Sequence, residues 1–115
     1  MFLKEFIPQR LLSNAISLKS IGLNELAWDK TSALEIIKCL DFVDIGILGG
    51  DLYRLEPGKI IPLSDNWYCD KKSNENNKEY SFRSKIKALN YIKSYPVDHD
   101  EKIIISLIFT DINSA

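Results

Sequence analysis

The spacing of hydrophobic residues in the first third of the chain predicts two helices. Apolar residues recur at helical intervals from about Pro8 to Lys19, and Gly22 is suited to end this helix. The second helix has a sharper start, because Ser32 and Glu35 have the spacing of a capping box, with Thr31 as an alternative N-cap. Its predicted buried stripe is Ala33, Ile36, Ile37, Leu40 and Val43.

The middle of the chain changes to a β pattern. Residues Ile45 to Leu55 favour a strand, and Glu56-Pro57-Gly58-Lys59 places Pro and Gly at the centre of a type II turn, which predicts a hairpin. The returning arm, Lys59 to Leu63, contains Pro62 and therefore belongs at a sheet edge or a strand end. Ser64-Asp65-Asn66 is typical of a turn, and Trp67-Tyr68-Cys69 of a short strand or ordered loop.

The last third predicts a loop, a helix and a strand. Asp70 to Lys78 is almost entirely polar and is expected to be a mobile surface loop, the segment most prone to disorder. A helix is predicted from about Tyr80 to Tyr95, ended by Pro96, and Lys102 to Thr110 is a strand apolar on both faces, hence central. The chain is thus predicted to be one small α+β domain over residues 1–115, with a mostly antiparallel sheet of three or four strands packed with about three helices.

The third predicted helix has two stripes. One is expected to face the core and comprises Phe82, Ile86, Leu89 and Ile92. The other lies near the opposite face and comprises Tyr80, Ala88, Tyr91 and Tyr95. Because tyrosine suits both half-buried and interface positions, this second stripe either packs under the Asp70 to Lys78 loop or is exposed to a partner, with Tyr91 as the candidate contact.

Composition is that of an ordinary globular protein, with 45% hydrophobic and 27% charged residues. The first residues lack the pattern of a signal or transit peptide, and the longest apolar run, Ile103 to Phe109, is far shorter than the ~20 residues of a membrane helix. Cys39 and Cys69 have neither metal-site nor disulfide-framework spacing and are expected to be reduced. A cytoplasmic protein without a membrane span is therefore predicted.

Charge is unevenly distributed along the chain although the net charge is only −1. Residues 24–70 carry nine Asp and Glu against four Lys and Arg, whereas residues 71–95 carry seven Lys and Arg against two Glu. A segregated acidic surface would steer a basic partner to the protein. Folding that intermixes the two groups would leave an ordinary solvated surface, and both alternatives are open.

Residues able to carry catalysis or bind a cofactor are few. His99 is the only histidine and lies in the acidic loop Pro96 to Glu101, where a solvated surface position is more typical than a metal ligand. Gly49-Gly50-Asp51 is followed by a strand, with no Lys, Ser or Thr to bind phosphate. The two glycines instead indicate a β-bulge or the close approach of another backbone. No catalytic, metal-binding or cofactor-binding residue is predicted.

Three further side chains allow a structural or a recognition role. Asp51 and Asp65 are each either acceptors for local backbone amides or exposed recognition carboxylates. In a regular strand Ile47, Asp51 and Tyr53 share a face, whereas a bulge at the glycines breaks that register. Trp67 suits a core position or an interface anchor.

A longer pattern is similar to a known family. The segment Ile47-Leu48-Gly49-Gly50-Asp51-Leu52-Tyr53, followed by Asp65-Asn66-Trp67-Tyr68, resembles the immunity protein 40 family of bacteria. The preceding Ala33-Leu34-Glu35 and a late helix with Ser84 and Tyr91-Ile92 extend the resemblance over most of the chain. It implies a cytoplasmic antitoxin, not an enzyme, that inactivates a polymorphic or contact-dependent toxin by binding it. The positions that match are Gly49, Gly50, Asp51, Tyr53, Trp67 and Tyr68.

The expected partner is therefore a cognate protein toxin domain, without cofactor, direct nucleic acid or membrane. A basic nuclease is a candidate toxin, since an acidic face can occupy its phosphate-binding Lys and Arg. Alternatives from other classes are a regulatory interaction domain unrelated to toxins, a small hydrolase using Asp51, Asp65 or Asp98-His99-Asp100, and nucleic-acid binding by residues 71–95. No particular oligomeric state is predicted.

Overall fold

Helices cover one face of an antiparallel sheet in the computed structural model, which describes residues 5–98 and 100–110. The helices are α1 (Gln9–Ser13), α2 (Lys30–Cys39) and α3 (Asn77–Ser94), with a short 3₁₀ helix at Lys19–Ile21. The strands are β1 (Ile16–Ser17), β2 (Leu26–Asp29), β3 (Ile47–Glu56), β4 (Lys59–Tyr68), β5 (Ile103–Ser106) and β6 (Ile108–Phe109). The α+β class is confirmed, but the predicted three or four strands were too few, since the sheet has six within the described residues.

The sheet is ordered β1-β2-β5-β3-β4, with β6 also paired to β3. The predicted hairpin is present: Glu56 pairs with Lys59, and Gly58 has φ +75°, as the third position of a type II turn requires. The last strand lies between β2 and β3 and is therefore central, as predicted, although Leu107 divides it into β5 and β6. Pro62 lies in the edge strand β4.

The turn predicted at Ser64-Asp65-Asn66 was wrong, because β4 continues through it to Tyr68. Asn66 pairs with Asp51 and Pro62 pairs with Tyr53, so residues 63–65 lie opposite Leu52 alone. The turn-favouring residues thus form an irregularity within an edge strand, where extra residues are tolerated because one side of the strand has no partner.

The first predicted helix was too long, because α1 ends at Ser13 and the chain then forms β1. Ile16 pairs with Ala27 of β2, and Leu18 is fully buried against Tyr53 on the face of the sheet away from α2 and α3. Apolar residues that serve two different faces had produced an apparent helical period. Gly22 does end a helix, but it ends the 3₁₀ helix, with φ +83°.

Helix α2 begins two residues before the predicted N-cap. Its cap is Asp29, whose Oδ1 accepts a hydrogen bond from the Ser32 N–H at 2.7 Å, so the capping box assigned to Ser32 and Glu35 was wrong. Glu35 forms an ion pair with Arg10 instead. The apolar stripe is confirmed for the fully buried residues Ala33, Ile36, Ile37 and Leu40.

Helix α3 turns toward the core the face that was predicted to point away from it. Its buried residues are Tyr80, Ser81, Ser84, Lys85, Ala88 and Ile92, whereas Phe82 is 70% exposed and Ile86 41% exposed. The small polar residues face inward because they bond the connection between α2 and β3: Ser81 Oγ donates to the Val43 and Ile45 carbonyls, and Ser84 Oγ accepts from the Ile47 N–H at 3.0 Å. Of the four residues predicted for the core-facing stripe of α3, all within the described part of the chain, Ile92 alone is fully buried.

The predicted start of α3 was three residues too late, since the helix begins at Asn77 and not at Tyr80. Asn76 and Glu79 form a reciprocal capping box, in which the Asn76 side chain accepts from the Glu79 N–H at 2.8 Å and Glu79 accepts from the Asn76 N–H at 2.9 Å. None of the helices within residues 5–98 and 100–110 has both the length and the apolar composition needed to cross a bilayer.

Candidate partner-binding surface

The residues of the family-like pattern come together where β3 and β4 pair. Gly49 lies opposite Tyr68, and Gly50 lies opposite Trp67. A Cβ atom on Gly50 would lie 2.1 Å from the Ser106 carbonyl oxygen and 2.5 Å from Cη2 of Trp67, and one on Gly49 would lie 2.2 Å from the Trp67 carbonyl oxygen. Both glycines therefore permit the close approach of neighbouring backbone, as the sequence indicated.

A bulge also occurs at this point, on the other side of β3. Ile47 pairs with Phe109 and Gly49 pairs with Ile108, so Leu48 is an extra residue. Ile47 consequently packs with the helix-side core while Tyr53 packs with Leu18 and Ile104 on the other face. The shared face expected for Ile47 and Tyr53 in a regular strand is therefore absent.

Asp51 and Tyr53 have different surroundings on the face of the sheet that lies away from α2 and α3. Tyr53 is buried, and burial raises the pKa of its hydroxyl. Asp51 is half-buried and bonds to Ser106 through its backbone, its N–H donating to Ser106 Oγ at 3.0 Å and its carbonyl accepting from the same hydroxyl at 3.4 Å. The Asp51 carboxylate thus lies beside a hydrogen-bonded strand pair, on a face that α2 and α3 leave uncovered.

Trp67, Tyr91 and Tyr95 form an aromatic row between β4 and α3. The rings of Trp67 and Tyr91 stack with centroids 4.9 Å apart, and the Tyr91 and Tyr95 centroids are 6.1 Å apart. At the end of the row the Tyr95 hydroxyl donates to Asp65 Oδ2 at 2.6 Å, which raises the pKa of Tyr95 to about 12. Trp67 is buried, so this row holds α3 on the edge strand.

Tyr68 is the most exposed aromatic residue of the pattern. Its side chain is 68% exposed, and Lys87 Nζ of α3 lies 5.7 Å from its ring centroid. The tyrosine at the start of the α3 stripe behaves differently, because Tyr80 is buried and its hydroxyl donates to the Cys69 carbonyl at 2.6 Å. Of the predicted tyrosine stripe, Tyr80 thus packs beside the segment that follows β4, whereas Tyr91 packs on Trp67.

The polar segment after β4 is bonded to α3 through Arg83. The guanidinium forms a bidentate ion pair with Glu75, at 2.6 and 2.8 Å, and donates to the Asp70 carbonyl at 2.7 Å and to Cys69 Sγ at 3.1 Å. The two hydrogen bonds that Glu75 accepts from the guanidinium, together with one from the Lys72 N–H, hold the pKa of Glu75 at about 2. The predicted polar loop is therefore held against the start of α3.

We expect Glu75→Gln to reduce the acid sensitivity of folding. The folded state keeps Glu75 ionised down to about pH 2, below its usual pKa of 4.5, so the unfolded chain binds the proton first as pH falls. The stabilisation by this pair is complete above about pH 4.5, declines below it, and is lost near pH 2. Urea unfolding from about pH 3 to pH 6 should show a free energy of unfolding that rises less steeply with pH in the variant.

Asp70→Asn is the matched control for this experiment, because Arg83 bonds the backbone carbonyl of Asp70 and not its carboxylate. This control removes one carboxylate from the same segment but leaves the Arg83–Glu75 ion pair intact, so the contribution of that pair to the pH dependence should be retained. Equal slopes for Glu75→Gln and the wild type would contradict a stabilising role for the Arg83–Glu75 pair.

Side chains suited to binding a metal ion are not clustered in the described part of the chain. Residues 5–98 and 100–110 contain no group of three or more His, Cys, Asp or Glu able to hold a metal ion. Cys39 and Cys69 are free thiols. His99 lies outside the described residues, so the structure does not describe the Asp98-His99-Asp100 alternative.

Sequence reasoning missed the connection between α2 and β3. Phe42 is fully exposed there, and beneath it the ammonium of Lys85 is buried and donates to the carbonyls of Leu40 and Val43. The one available signal was Phe42, which lies beside Val43 between Asp41 and Asp44, immediately after a helix and outside its predicted apolar stripe. A single apolar residue off the periodic stripe of a helix predicts neither a helix nor a strand, so the sequence does not indicate a surface there.

Comparison with known proteins identifies the family. No curated protein and no solved structure matches the chain significantly. The family model described as immunity protein 40 matches residues 17–109, from the second residue of β1 to the end of β6. Because this match covers more than half of the chain and includes the whole sheet except Ile16, the chain belongs to the immunity protein 40 family, whose members are immunity proteins against polymorphic toxins.

Proposed function

We propose that this protein binds and neutralises a cognate toxin domain, of a polymorphic or contact-dependent toxin, in the cytoplasm of the cell that makes both. The observation that carries the proposal is the family match over residues 17–109. Neutralisation by binding requires a stable scaffold and an exposed complementary surface, and it requires no catalytic group in the inhibitor. This requirement agrees with a structure in which most pattern residues serve packing and Tyr68 stays exposed.

The arrangement of the pattern residues supports a scaffold role for most of them. Gly49, Gly50 and Trp67 are buried at the β3–β4 pairing, and Tyr91 stacks on the indole. An interface that must follow changes in the toxin is better placed on side chains outside this packed cluster. We therefore propose Tyr68 and the half-buried Asp51 as the members of the pattern available to a partner.

The class of toxin is a second part of the proposal. A nuclease would offer Lys and Arg that bind phosphate, and the nine acidic residues of segment 24–70 supply carboxylates that can pair with them. Folding brings part of that segment near basic residues, since Asp41 and Asp44 lie close enough to Lys85 to raise its pKa against the larger lowering caused by burial. Lys85 therefore offsets part of the acidic charge of this segment, while the Asp41 and Asp44 side chains stay exposed to a partner.

Co-expression tests the proposal directly. The product of the adjacent gene is expressed in a sensitive bacterial host with or without this protein, and growth and co-purification are measured. We expect toxicity of the neighbour alone, restored growth with the pair, and a stoichiometric complex by size-exclusion chromatography. Degradation of nucleic acid by the purified neighbour, and its arrest on complex formation, would support the nuclease assignment.

Other results would contradict the proposal. A harmless neighbour, or restored growth without a complex, would favour the regulatory interaction domain or an indirect mechanism. A toxic neighbour that is neutralised in a stable complex but degrades no nucleic acid would reject only the nuclease class.

A further inference from the structure

The connection between α2 and β3 displays an apolar side chain that contributes nothing to the core. Phe42 is fully exposed, and together with Phe82 and Ile86 of α3 it lines a groove of about 400 Å³. Isolated apolar residues are common on protein surfaces, but a contiguous cluster of large ones is characteristic of binding surfaces. Leaving two phenylalanines in water forgoes the stabilisation that their burial would give.

The backbone beneath Phe42 is held by buried side chains of α3. Lys85 Nζ donates to the carbonyls of Leu40 and Val43, and Ser81 Oγ lies 3.1 Å from both the Val43 and Ile45 carbonyls. Lys85 is almost completely buried, and its ammonium lies at the C-terminal end of α2, where a positive charge is favourable. Three carbonyls of this short connection are thus fixed by side chains of α3.

A fixed connection has consequences for binding. A partner that meets a preformed loop does not lose the free energy needed to order it, so more of the contact energy appears as affinity. Aromatic side chains on such supports are typical of the few residues that dominate an interface. Phe42 is therefore positioned to act as the anchor residue of an interface.

Charge indicates what kind of partner surface fits here. Asp41 and Asp44 are exposed on either side of Phe42, and both belong to the lining of the groove. The Lys85 ammonium beneath them is already bonded to two carbonyls, which leaves Lys78 as the exposed cation of the lining. Among the exposed lining residues two carboxylates thus outnumber one ammonium, so the exposed charge beside Phe42 is acidic on balance and complements Lys or Arg side chains.

We propose that the Phe42 surface, comprising Asp41, Phe42, Asp44, Phe82 and Ile86, is where the cognate toxin domain binds. The toxin surface that fits it presents an apolar side chain or pocket for Phe42 and Phe82, flanked by Lys or Arg that pair with Asp41 and Asp44. This inference rests on the proposed function and specifies its interface.

The test measures binding of full-length variants to the adjacent gene product by titration calorimetry. Phe42→Ala is expected to weaken the complex by about 30-fold or more, as for the loss of an interface anchor. Its thermal unfolding should match that of the wild type, because the Phe42 side chain makes no buried contact. In a separate stopped-flow measurement, charge reversal by Asp41→Lys with Asp44→Lys should lower the association rate constant by about 10-fold at low salt and by less at high salt.

Leu26→Ala is the matched control, because Leu26 is 41% exposed, like Ile86, and lies on β2 away from the groove lining. It should leave the affinity unchanged. If the Phe42→Ala variant binds the toxin as tightly as the wild type does, this inference is overturned and the proposed function stands. Absence of wild-type binding would overturn both. A self-association lost in Phe42→Ala while toxin affinity is retained would assign the surface to a second copy of the chain and likewise overturn the inference.

Discussion

Gly50→Ala is expected to lower the free energy of unfolding by about 3 kcal/mol, the upper end of the usual range for overpacking. The added methyl would lie 2.1 Å from the Ser106 carbonyl oxygen and 2.5 Å from the Trp67 ring. The first neighbour belongs to the central strand β5, and the second is held by its stack with Tyr91. Neither can move without disturbing the sheet, so urea unfolding followed by tryptophan fluorescence should detect a large loss.

Gly58→Ala separates this clash from the general effect of replacing a glycine. Gly58 has φ +75° and no atom within 4 Å of the added methyl, so the expected loss is about 1 kcal/mol, from backbone strain alone. In a Gly50→Ala/Trp67→Leu double variant the clash with Ser106 persists, and little stability should return. Equal losses for Gly50→Ala and Gly58→Ala would show that the sheet yields at Gly50 and would contradict the close approach as a constraint.

The parts of the fold that follow from local chemistry were predictable. Pro57-Gly58 specifies a turn by itself, and the consecutive isoleucines from Ile103 to Ile105 indicate a strand covered on both faces. The irregularity in β4 was not predictable, because Ser64 and Asp65 have the same local preferences in an edge bulge as in a turn. What distinguishes the two is the pairing with β3, which is a long-range property.

Helix α3 shows why a periodic pattern can indicate the wrong face. Counting apolar residues places Phe82 and Ile86 inside and Ser81 and Lys85 outside, yet the structure does the reverse. The carbonyls at the end of α2 need donors when they are buried, and unsatisfied buried carbonyls are costly. Donors on α3 meet that need, and the contact is invisible in the sequence of either element alone.

The candidate site was predicted unevenly for the same reason. The pairing of the glycines with other backbone followed from their position in a strand, and the resemblance singled out Trp67. The Phe42 surface did not follow from the sequence, because its elements lie far apart along the chain and only folding brings Phe42 beside Phe82. Exposure of an apolar residue becomes informative only when its neighbours in space are known.

Trp67→Ala is expected to destabilise the protein by about 3–5 kcal/mol, the range for truncating a large buried aromatic residue. The side chain is buried, packs against Gly50 across the strand pair and stacks on Tyr91. Loss of toxin binding in this variant would therefore accompany loss of the folded state, measured by urea unfolding. A stable Trp67→Ala protein with lost binding would contradict the packing role and make Trp67 a contact residue.

The two tryptophans allow a finer test by conservative replacement. The Trp28 Nε1–H donates to the Leu11 carbonyl at 2.8 Å, whereas the buried Trp67 Nε1–H finds no acceptor among the described residues. Trp28→Phe should thus destabilise the protein more than Trp67→Phe, by about 1–2 kcal/mol, since it leaves a buried carbonyl unsatisfied as well as reducing volume. The reverse order would mean that the indole of Trp67 contributes more than packing area, and the stack with Tyr91 would then be the interaction to measure by a double-mutant cycle.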